Sequence, residues 1–268
     1  MAIITISRDS YSHGKEIAES VAAKLGYKCV GPEVIKTACE SLNLEQSAVE
    51  DALKVAPSLF KRCGNKCERN VAMFRAAFFE YMTHDNIVYH GLAGHVFLNN
   101  VPNVLKVRVI ADFQDRLSEE MMRTGDNENV ALRRLLQEDK KRLAWTKYLY
   151  GKDNHDPDLY DIYVNLHNIS VEKAVRIIVD TAQISTNGYG PQMKKRLAEL
   201  SLQAKAEALL LESFPEVTTE VRDGEVYARV NASLVQEAAV AAKAHEVLKR
   251  EGIDNAHVGV SASGFAPF

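Results

Sequence analysis

The beginning of the chain constrains its fold more than any other stretch, because an apolar run there passes through a short polar turn into an amphipathic helix. Ala2–Ile6 has the composition of a buried strand. Beyond the polar turn, apolar residues recur at helical spacing at Ile17, Val21, Ala22 and Leu25. A strand, a tight turn and a helix are the layout of a phosphate-binding loop, whose backbone N–H groups point at an anion. We therefore predict an anion site after the first strand.

The nucleotide-binding pattern GxxxxGKS/T is incomplete in this turn. Gly14 and Lys15 supply its last glycine and its lysine. Asp9 stands where the first glycine should be, and Glu16 where the hydroxyl that holds Mg²⁺ should be. On the motif alone, a working nucleotide site, a modified one and a relic all remain open.

Strand-like and helix-like segments alternate through residues 1–184. The further strand-like runs are Asn86–His90, Val104–Ile110 and Tyr160–Asn165, and Tyr27–Val30 is a short segment bracketed by glycines. The further helical patterns are Val34–Leu42, Ser47–Val55, Glu68–Met82, Asp115–Thr124, Asn129–Tyr148 and Val171–Ala182, the last with Ser170 as its N-cap. Strands separated by helices predict an α/β fold in which helices cover both faces of a parallel sheet.

The pattern changes after the linker Ile184–Pro191, which is rich in glycine and small polar residues. Asp223 and Gly224 lie between two alternating runs and predict a hairpin with a tight turn. The predicted elements are Gln192–Ser213 (helix), Val217–Arg222 and Glu225–Asn231 (strands), Leu234–Arg250 (helix) and His257–Ser261 (strand). We therefore predict two domains, residues 1–184 and 192–268, joined by residues 185–191, the second a small α+β domain with the order α-β-β-α-β.

Composition and charge exclude several classes of protein. The net charge of −3 gives no electrostatic reason to expect nucleic acid as the main partner. No apolar run approaches the roughly 20 residues that a membrane-spanning helix needs. Met1 leads directly into a strand without the pattern of a secretory signal, so we expect a soluble cytoplasmic protein.

The cysteines give no metal site. They are Cys29, Cys39, Cys63 and Cys67, which we expect to be reduced thiols in the cytoplasm. Cys63 and Cys67 form the motif CGNKC, but its spacing is not that of a zinc knuckle and no second pair completes a ligand set. A structural role for these two residues is favoured over a metal site.

Four segments, taken in order, resemble the cytidylate-kinase-like branch of the P-loop nucleoside monophosphate kinases. ITISRDSYSHGKEIAESVAAKLGY is similar to the family's ITISRxYGSGGREIAxxLAxxLGY, and NIVYHGLAGHVFL to its xVIVGRGAxxIL. PNVLKVRVIADFQDRLSEEM and DKKRLAWTKYLYGKDNHDPDLYDIYVNLHNISVEKAV resemble its two later motifs. In the last segment the matching residues are Asp139, Arg142, Tyr148, Gly151, Asp156, Pro157, Tyr160 and Asp161. The resemblance covers residues 1–184.

The resemblance implies a three-layer P-loop kinase fold, ATP and Mg²⁺ as phosphoryl donor, and a pyrimidine monophosphate (CMP or dCMP) as acceptor. Phosphoryl transfer depends mainly on positioning and on neutralisation of charge. The residues that the resemblance implies for the ATP phosphates are Ser10, Tyr11, Ser12, His13, Gly14 and Lys15. The catalytic candidates are Lys15, Arg116, Arg123 and Arg142, and the acceptor candidates are His90, Gly91 and Asp139. Arg116 and Arg123 are seven residues apart, about two helical turns on one face.

Three positions depart from the family pattern. Tyr11 and His13 stand where the family has glycine, so the loop would hold two side chains in a backbone conformation that costs on the order of 1 kcal/mol each. Leu92 replaces the arginine that is expected to hold the phosphate of the acceptor, and leucine cannot form that charge-assisted pair. His90 and His95 flank this turn and are candidates for a partial substitute, although packing positions are favoured for both.

Two functions therefore remain open for residues 1–184. The leading one is ATP-dependent phosphoryl transfer to a nucleotide-like small molecule, and the alternative is a catalytically impaired protein that senses nucleotide. Residues 192–268 resemble a BON-type module more weakly, on the run VTTEVRDGEVYARVNASLVQEAAVAAKAHEVL. Acidic residues on its hairpin side disfavour anionic lipid, so a packing or dimerisation domain is favoured over a lipid-binding one.

Overall fold

The computed structural model describes residues 3–31, 65–84, 86–91, 93–185, 191–232 and 236–261. The chain forms two compact units. The first comprises residues 1–34 and 84–193, and the second comprises residues 35–83 and 194–268.

The first unit is built on a parallel sheet of five described strands. The strands are β1 (Ile3–Arg8), β2 (Lys28–Val30), β3 (Ile87–His90), β4 (Val104–Ile110) and β5 (Ile162–Asn165). Their order is β2-β3-β1-β4-β5, so β1 lies at the centre with β3 and β4 on either side. This confirms the predicted parallel sheet. Because every strand runs in the same direction, all the loops that follow the strands, including residues 9–13, lie at one edge.

The helices of this unit are α1 (Gly14–Leu25), α3 (Gly94–Phe97), α4 (Phe113–Thr124), α5 (Glu128–Tyr150) and α6 (Val171–Ser185), and α2 is Asn65–Met82 in the second unit. All but α3, which the sequence did not predict, agree with the helical patterns of the sequence. The hydroxyl of Ser170 accepts a hydrogen bond from the Lys173 N–H at 3.3 Å, which confirms Ser170 as the N-cap of α6.

The two faces of the sheet differ in chemistry. On one face Ile4 and Ile6 are buried together with apolar residues of β3, β4, α1 and α6. On the other face Thr5 and Ser7 alternate with them on β1, and Ser7 pairs in register with Arg108 of β4. These polar side chains are also buried, so one face is an apolar core and the other supports a polar interior beneath the loop edge.

The second unit contains a sheet of three described strands. Its elements after α2 are α7 (Pro191–Leu210), β6 (Val217–Arg222), β7 (Glu225–Asn231), α8 (Glu237–Arg250) and β8 (Ala256–Ser261). β6 pairs antiparallel with β7, and β7 pairs parallel with β8. The predicted order α-β-β-α-β is confirmed. Asp223 and Gly224 both have positive φ, 51° and 84°, as the predicted tight turn requires.

The placement of α2 differs from the division expected from the sequence. Residues 68–82 were assigned to the first domain, whereas α2 groups with the C-terminal residues. Ala72 and Met73 pack against Ala208 and Leu211, which follow in and after α7. Arg75 of α2 also pairs with Glu207 at 3.3 Å. These contacts join segments more than 130 residues apart, which periodicity along the chain does not reveal.

Several sequence interpretations lie outside the described residues: the helical patterns Val34–Leu42 and Ser47–Val55, most of the linker, Cys39, Cys63 and Leu92. The side chain of Cys67 is also outside them. Within the described ranges, no helix is both long and apolar enough to cross a membrane. In those same ranges, no three His, Cys, Asp or Glu side chains come together as a metal site would require.

Candidate active site around the phosphate loop

The loop between β1 and α1 is anchored to the end of β4. The Asp9 N–H donates a hydrogen bond to the Val109 carbonyl at 3.3 Å. The Ser12 hydroxyl lies within hydrogen-bond distance of two carbonyls, that of Asp9 at 3.0 Å and that of Val109 at 3.3 Å. The loop therefore folds back over the carboxyl ends of the two central strands.

The loop keeps a glycine-type backbone without the glycines. Tyr11 and His13 have φ values of 57° and 52°, in the left-handed region, as their alignment with family glycines led us to expect. Such a conformation costs a non-glycine residue on the order of 1 kcal/mol. Gly14 is needed for a different reason, because a Cβ there would lie 2.6 Å from Cδ of Arg8. The backbone path of the loop is thus retained at the expense of strain at two residues.

The start of α1 presents backbone donors. The first N–H groups of a helix have no partner within the helix. Within the described part of the chain, the structure gives the amides of Ser12, His13, Gly14 and Lys15 no hydrogen-bond acceptor. The Ser10 N–H differs, since it donates to the Asp139 carboxylate of α5 at 3.2 Å. Four successive amides therefore remain for an anion, and a fifth is bound by a carboxylate of the protein.

A cavity of about 770 Å³ opens over these amides, and we call it the phosphate cavity. It is lined by Arg8, Ser10, Tyr11, Ser12, His13, Gly14, Lys15, Glu16, Glu19, Glu119, Glu138, Arg123 and Arg142. Among these residues, four side chains are cationic and four are carboxylates. The structure thus brings three catalytic candidates, Lys15, Arg123 and Arg142, to the loop.

A smaller cavity of about 230 Å³, the base cavity, adjoins the first along the same loop. It is lined by Tyr11, His13, Ala111, Asp115, Arg116, Leu166, Ile169, Ser170 and Val171. Tyr11 and His13 line both cavities. Its aliphatic residues are Leu166 and Ile169 of the loop between β5 and α6, Val171 at the start of α6, and Ala111 after β4, so this space is more apolar than the phosphate cavity.

Lys15 and His13 each face a carboxylate on α1. The Lys15 Nζ lies 3.7 Å from the Glu19 carboxylate, and both side chains are more than half exposed. The His13 Nδ1 lies 3.0 Å from the Glu16 carboxylate. Exposed pairs of this kind contribute little to stability, so the side chains of Lys15 and His13 can turn toward an anion.

Arg116 is buried and fixed. Its guanidinium donates to the Asp139 carboxylate at 2.8 Å and to the Ser10 carbonyl at 3.3 Å. Asp139 therefore binds both the Ser10 amide and Arg116. We had grouped Asp139 with His90 and Gly91, and the structure places it at the loop. Arg142 also contacts Ser10, because its Nε donates a hydrogen bond to the Ser10 hydroxyl at 3.1 Å.

Arg123 is held by a buried carboxylate. It donates to Glu120 at 2.8–3.0 Å, and Arg134 donates to the same carboxylate at 2.8 Å. Glu120 is fully buried. Burial raises the pKa of its carboxyl, but the hydrogen bonds and charges of Arg134 and Arg123 outweigh burial, so the pKa of Glu120 is lowered. Glu120 thus stays ionised and orients Arg123 at the edge of the phosphate cavity.

A second buried polar group lies beneath the loop, and the sequence reasoning missed it. Arg108, only 2% exposed, donates to the Ser7 hydroxyl at 3.0 Å and to the Asp9 carboxylate. The Tyr160 hydroxyl lies 3.4 Å from that of Ser7 and donates to the Asn154 carbonyl at 3.0 Å. The sequence signal for this group was Arg108 itself, a charged residue inside the apolar run VLKVRVI.

His95 is buried next to this group. Its ring stacks on Tyr160 with centroids 4.9 Å apart. In the described part of the chain, its two ring nitrogens have no hydrogen-bond partner of good geometry. Burial, together with the positive charge of Arg108, lowers the pKa of His95 to about 3, although Asn154 acts in the opposite direction. His95 is therefore neutral at physiological pH.

The predicted acceptor residues of the turn after β3 are only partly described. His90 is buried at the end of β3 and pairs in register with Ile6, so it shares the apolar face, whereas His95 lies on the polar face. Gly91 follows directly. The departure at Leu92 lies outside the described residues.

Comparison with solved structures agrees with this architecture. An uncharacterised protein from Eubacterium ventriosum is 17% identical with a TM-score of 0.53, over 68% of this chain and 99% of that one. Shikimate kinase from Acinetobacter baumannii is 10% identical (TM-score 0.39, 70% and 96% covered), and a gluconokinase from Sinorhizobium meliloti is 14% identical (TM-score 0.36, 74% and 94% covered). None of the curated proteins matches the sequence.

The family comparison settles the ancestry of the loop. The model of the cytidylate kinase-like family matches residues 3–168, which include the phosphate loop, the polar face of the sheet and the helices that carry Arg116, Arg123 and Arg142. The fold class is that of the P-loop kinases, as the sequence resemblance implied, and its general chemistry is phosphoryl transfer with a nucleotide. The chain belongs to the cytidylate kinase-like family.

Proposed function

We propose that the protein transfers a phosphoryl group from ATP to a nucleoside monophosphate-like acceptor, nominally CMP or dCMP. The observation that carries the proposal is the pair of adjoining cavities along one loop. The phosphate cavity offers free backbone amides and cationic side chains, and the base cavity offers aliphatic walls. A ligand that is anionic at one end and flat and apolar at the other fits both at once, as a nucleoside triphosphate does.

The residues around the loop divide the work of binding and positioning. The amides of residues 12–15 would bind the phosphate oxygens, and Lys15 would add a mobile positive charge. Arg142 and Arg123 would neutralise charge on the transferred group from the α4–α5 side. Arg116 is held by Asp139 and lines the base cavity, where its guanidinium plane can support the nucleotide base.

The carboxylates fit a nucleotide that carries a divalent cation. Mg²⁺ is usually held by one or two carboxylates together with phosphate oxygens and waters. Glu16 and Glu19 lie on the first turns of α1 and line the phosphate cavity. Glu16 occupies the position of the usual hydroxyl ligand, so we assign Glu16, with Glu19, as the residues that would hold Mg²⁺. When bound, the ion neutralises charge on the phosphates.

We keep His90 and Gly91 as the residues closest to the acceptor's phosphate, at the carboxyl end of β3. Asp139 would act through its bonds to Ser10 and Arg116 rather than by direct contact with the acceptor.

One observation favours the second candidate, a nucleotide-sensing protein without efficient turnover. The Asp139 carboxylate already binds the Ser10 amide and Arg116, two groups that a phosphate could otherwise use. The Asp139 carboxylate would then compete with the transferred group for these partners. Such a protein would bind ATP at this loop without transferring phosphate efficiently.

Calorimetric titration separates these candidates. The protein is titrated with Mg·ATP, then with CMP, and turnover is measured across a panel of nucleoside monophosphates. Binding with turnover supports the kinase, and binding without turnover supports the sensor. Absence of ATP binding at millimolar concentration would contradict both.

A charge-matched pair of variants tests the loop itself. Lys15→Ala should abolish ATP binding, because it removes the mobile cation at the start of α1. Lys24→Ala removes the same charge from the other end of that helix and should leave binding intact. Equal loss of affinity in the two variants would show that the effect comes from overall charge rather than from the loop.

For the second unit we propose a packing or dimerisation role, and we keep the resemblance to a BON-type module as a hypothesis. One carboxylate of its hairpin, that of Asp223, pairs with Lys195 of α7 at 2.6 Å. Sedimentation velocity over a concentration series tests the dimer, and a purely monomeric protein at high concentration would contradict it.

We also propose a cytoplasmic location for the protein.

A further inference from the structure

Tyr11 stands at a family glycine position, and its side chain has definite neighbours. It packs against an apolar cluster between α4 and α5, formed by Leu117, Ala131 and Leu135 with Phe113, Met121 and Leu132 around them. Its ring also lies under the Arg123 guanidinium, at 5.1 Å from centroid to Cζ. The residue thus connects the phosphate loop to both helices that carry the candidate arginines.

We propose that Tyr11 is a positioning residue that holds Arg123 over the phosphate cavity and fastens the phosphate loop to α4 and α5. The inference rests on the proposed phosphoryl transfer and assigns a new role within it. In this interpretation the replacement of glycine by tyrosine does not damage the loop; the aromatic ring provides a support for Arg123 that a glycine lacks.

The surroundings of Arg123 explain why a second support matters. Glu120 fixes one side of the guanidinium, but more than half of the Arg123 side chain is exposed. A long exposed side chain loses considerable rotamer freedom when it is ordered. The aromatic ring contacts the guanidinium through a cation–π interaction, which restricts the rotamers of Arg123 further. The carboxylate and the ring together restrict the orientation of the arginine, which lines the phosphate cavity together with Tyr11.

The strained backbone at Tyr11 is offset by the same contacts. Its left-handed φ of 57° would favour glycine if the tyrosine side chain made no stabilising contacts. Burial of an aromatic ring against the α4–α5 cluster opposes this preference. His13 provides the contrast, since it has a similar φ of 52° but its imidazole faces the exposed Glu16 of its own helix.

Two interpretations of Tyr11 predict opposite changes in activity for Tyr11→Gly: that tyrosine obstructs the loop, and that tyrosine positions Arg123. If tyrosine merely obstructs the loop, Tyr11→Gly restores the family residue and raises activity. If Tyr11 positions Arg123, Tyr11→Gly lowers kcat at least tenfold with a smaller change in the KM for ATP, because Arg123 acts on the group being transferred. Tyr11→Phe, which keeps the ring, should recover at least half of the wild-type kcat, and Tyr11→Leu, which keeps only the packing, should not.

A double-mutant cycle gives a readout that does not need activity. Urea midpoints are measured for Tyr11→Leu, Arg123→Ala and the double variant. We expect the two shifts to be clearly non-additive, because each substitution removes the same contact. The matched control is His13→Gly, which relieves the same kind of strained backbone in the same loop. Its shift should add to that of Arg123→Ala.

The outcomes separate this inference from the proposed function. Absence of ATP binding and turnover in the wild type overturns the phosphoryl-transfer role of both residues, even if the cycle shows coupling. An active wild type with additive Tyr11 and Arg123 shifts, or with a Tyr11→Gly variant at least as active as the wild type, overturns the positioning role alone. Coupling in the cycle together with rescue by Tyr11→Phe supports it.

Discussion

The two faces of the parallel sheet are made by the same strands and do different things. On β1, Ile4 and Ile6 point into a core closed by α1 and α6, while Thr5 and Ser7 point into a polar interior with Arg108. All four of these β1 side chains are buried. Alternation along a strand usually separates core from solvent, but here it separates an apolar core from the polar support of a site.

The two faces of the sheet differ in what burial of their side chains costs. Buried polar groups cost free energy unless they are paired, so a polar face is retained only where it serves a purpose. Here it lies directly beneath the phosphate loop, and Arg108 ties β4 to Ser7 and Asp9. The apolar face needs only complementary volume.

The largest expected effect comes from breaking the buried ion pair on the polar face. Arg108→Met should lower the free energy of unfolding by about 4 kcal/mol, because Asp9 would keep its charge without a partner. Urea denaturation measures the loss. Adding Asp9→Asn to this variant should recover part of it, and a double variant as unstable as the single one would show that packing rather than charge governs this site.

A truncation on the apolar face should cost somewhat less. Ile4→Ala removes a fully buried side chain from the α1–α6 core and should destabilise by about 3 kcal/mol through lost burial and the cavity left behind. Ile4→Val is the control and should cost about 1 kcal/mol. A loss in Ile4→Ala below that of Ile4→Val would contradict the close packing of this face. Neither change should alter the affinity for Mg·ATP, in contrast to Arg108→Met.

The third effect depends on pH and belongs to the polar face. His95 has a pKa of about 3 when folded and 6.5 as its ordinary value, so below pH 6.5 the unfolded chain takes up a proton that the folded chain does not. The free energy of unfolding should therefore fall by about 2 kcal/mol between pH 6.5 and pH 5, at roughly 1.4 kcal/mol per pH unit.

The His95→Gln variant isolates this contribution, because glutamine does not titrate. Denaturation curves of the two proteins at a series of pH values give the difference directly. The His95-dependent slope should vanish in the variant, and parallel curves over this interval would show that His95 does not stay neutral in the folded protein.

The smallest effect concerns the helix that carries Arg116 and Arg123. Asp112 caps α4 by accepting a hydrogen bond from the Gln114 N–H at 2.8 Å. Asp112→Ala should cost about 1 kcal/mol, and Asp112→Asn, which keeps a capping oxygen, only a few tenths. Thermal unfolding of the three proteins checks the order, and equal losses in the two variants would assign the effect to charge at the helix dipole.

Most elements of both sheets were predictable because their signals are local. Apolar composition predicted β4, alternation predicted the hairpin strands, and helical spacing predicted α1 and α6. Asp223 and Gly224 marked a turn whose φ values are positive as expected. The glycine-like backbone at Tyr11 and His13 was also predictable by alignment with glycines. Local signals did not reveal that α2 belongs with the C-terminal unit, because its partners on and near α7 lie more than 130 residues away.

The order of the elements, the family and the presence of a strained phosphate loop can be read from the sequence, since each depends on short stretches of neighbouring residues. The surroundings of that loop become visible only in the folded chain. The Asp139 carboxylate meets the Ser10 amide across 129 positions, and Arg108 meets Asp9 across 99. The ring of Tyr11 is turned toward Arg123 by the packing of α4 and α5. The backbone conformation of a residue depends mainly on its neighbours in the sequence. The direction and partners of its side chain depend on which distant surface packs against it.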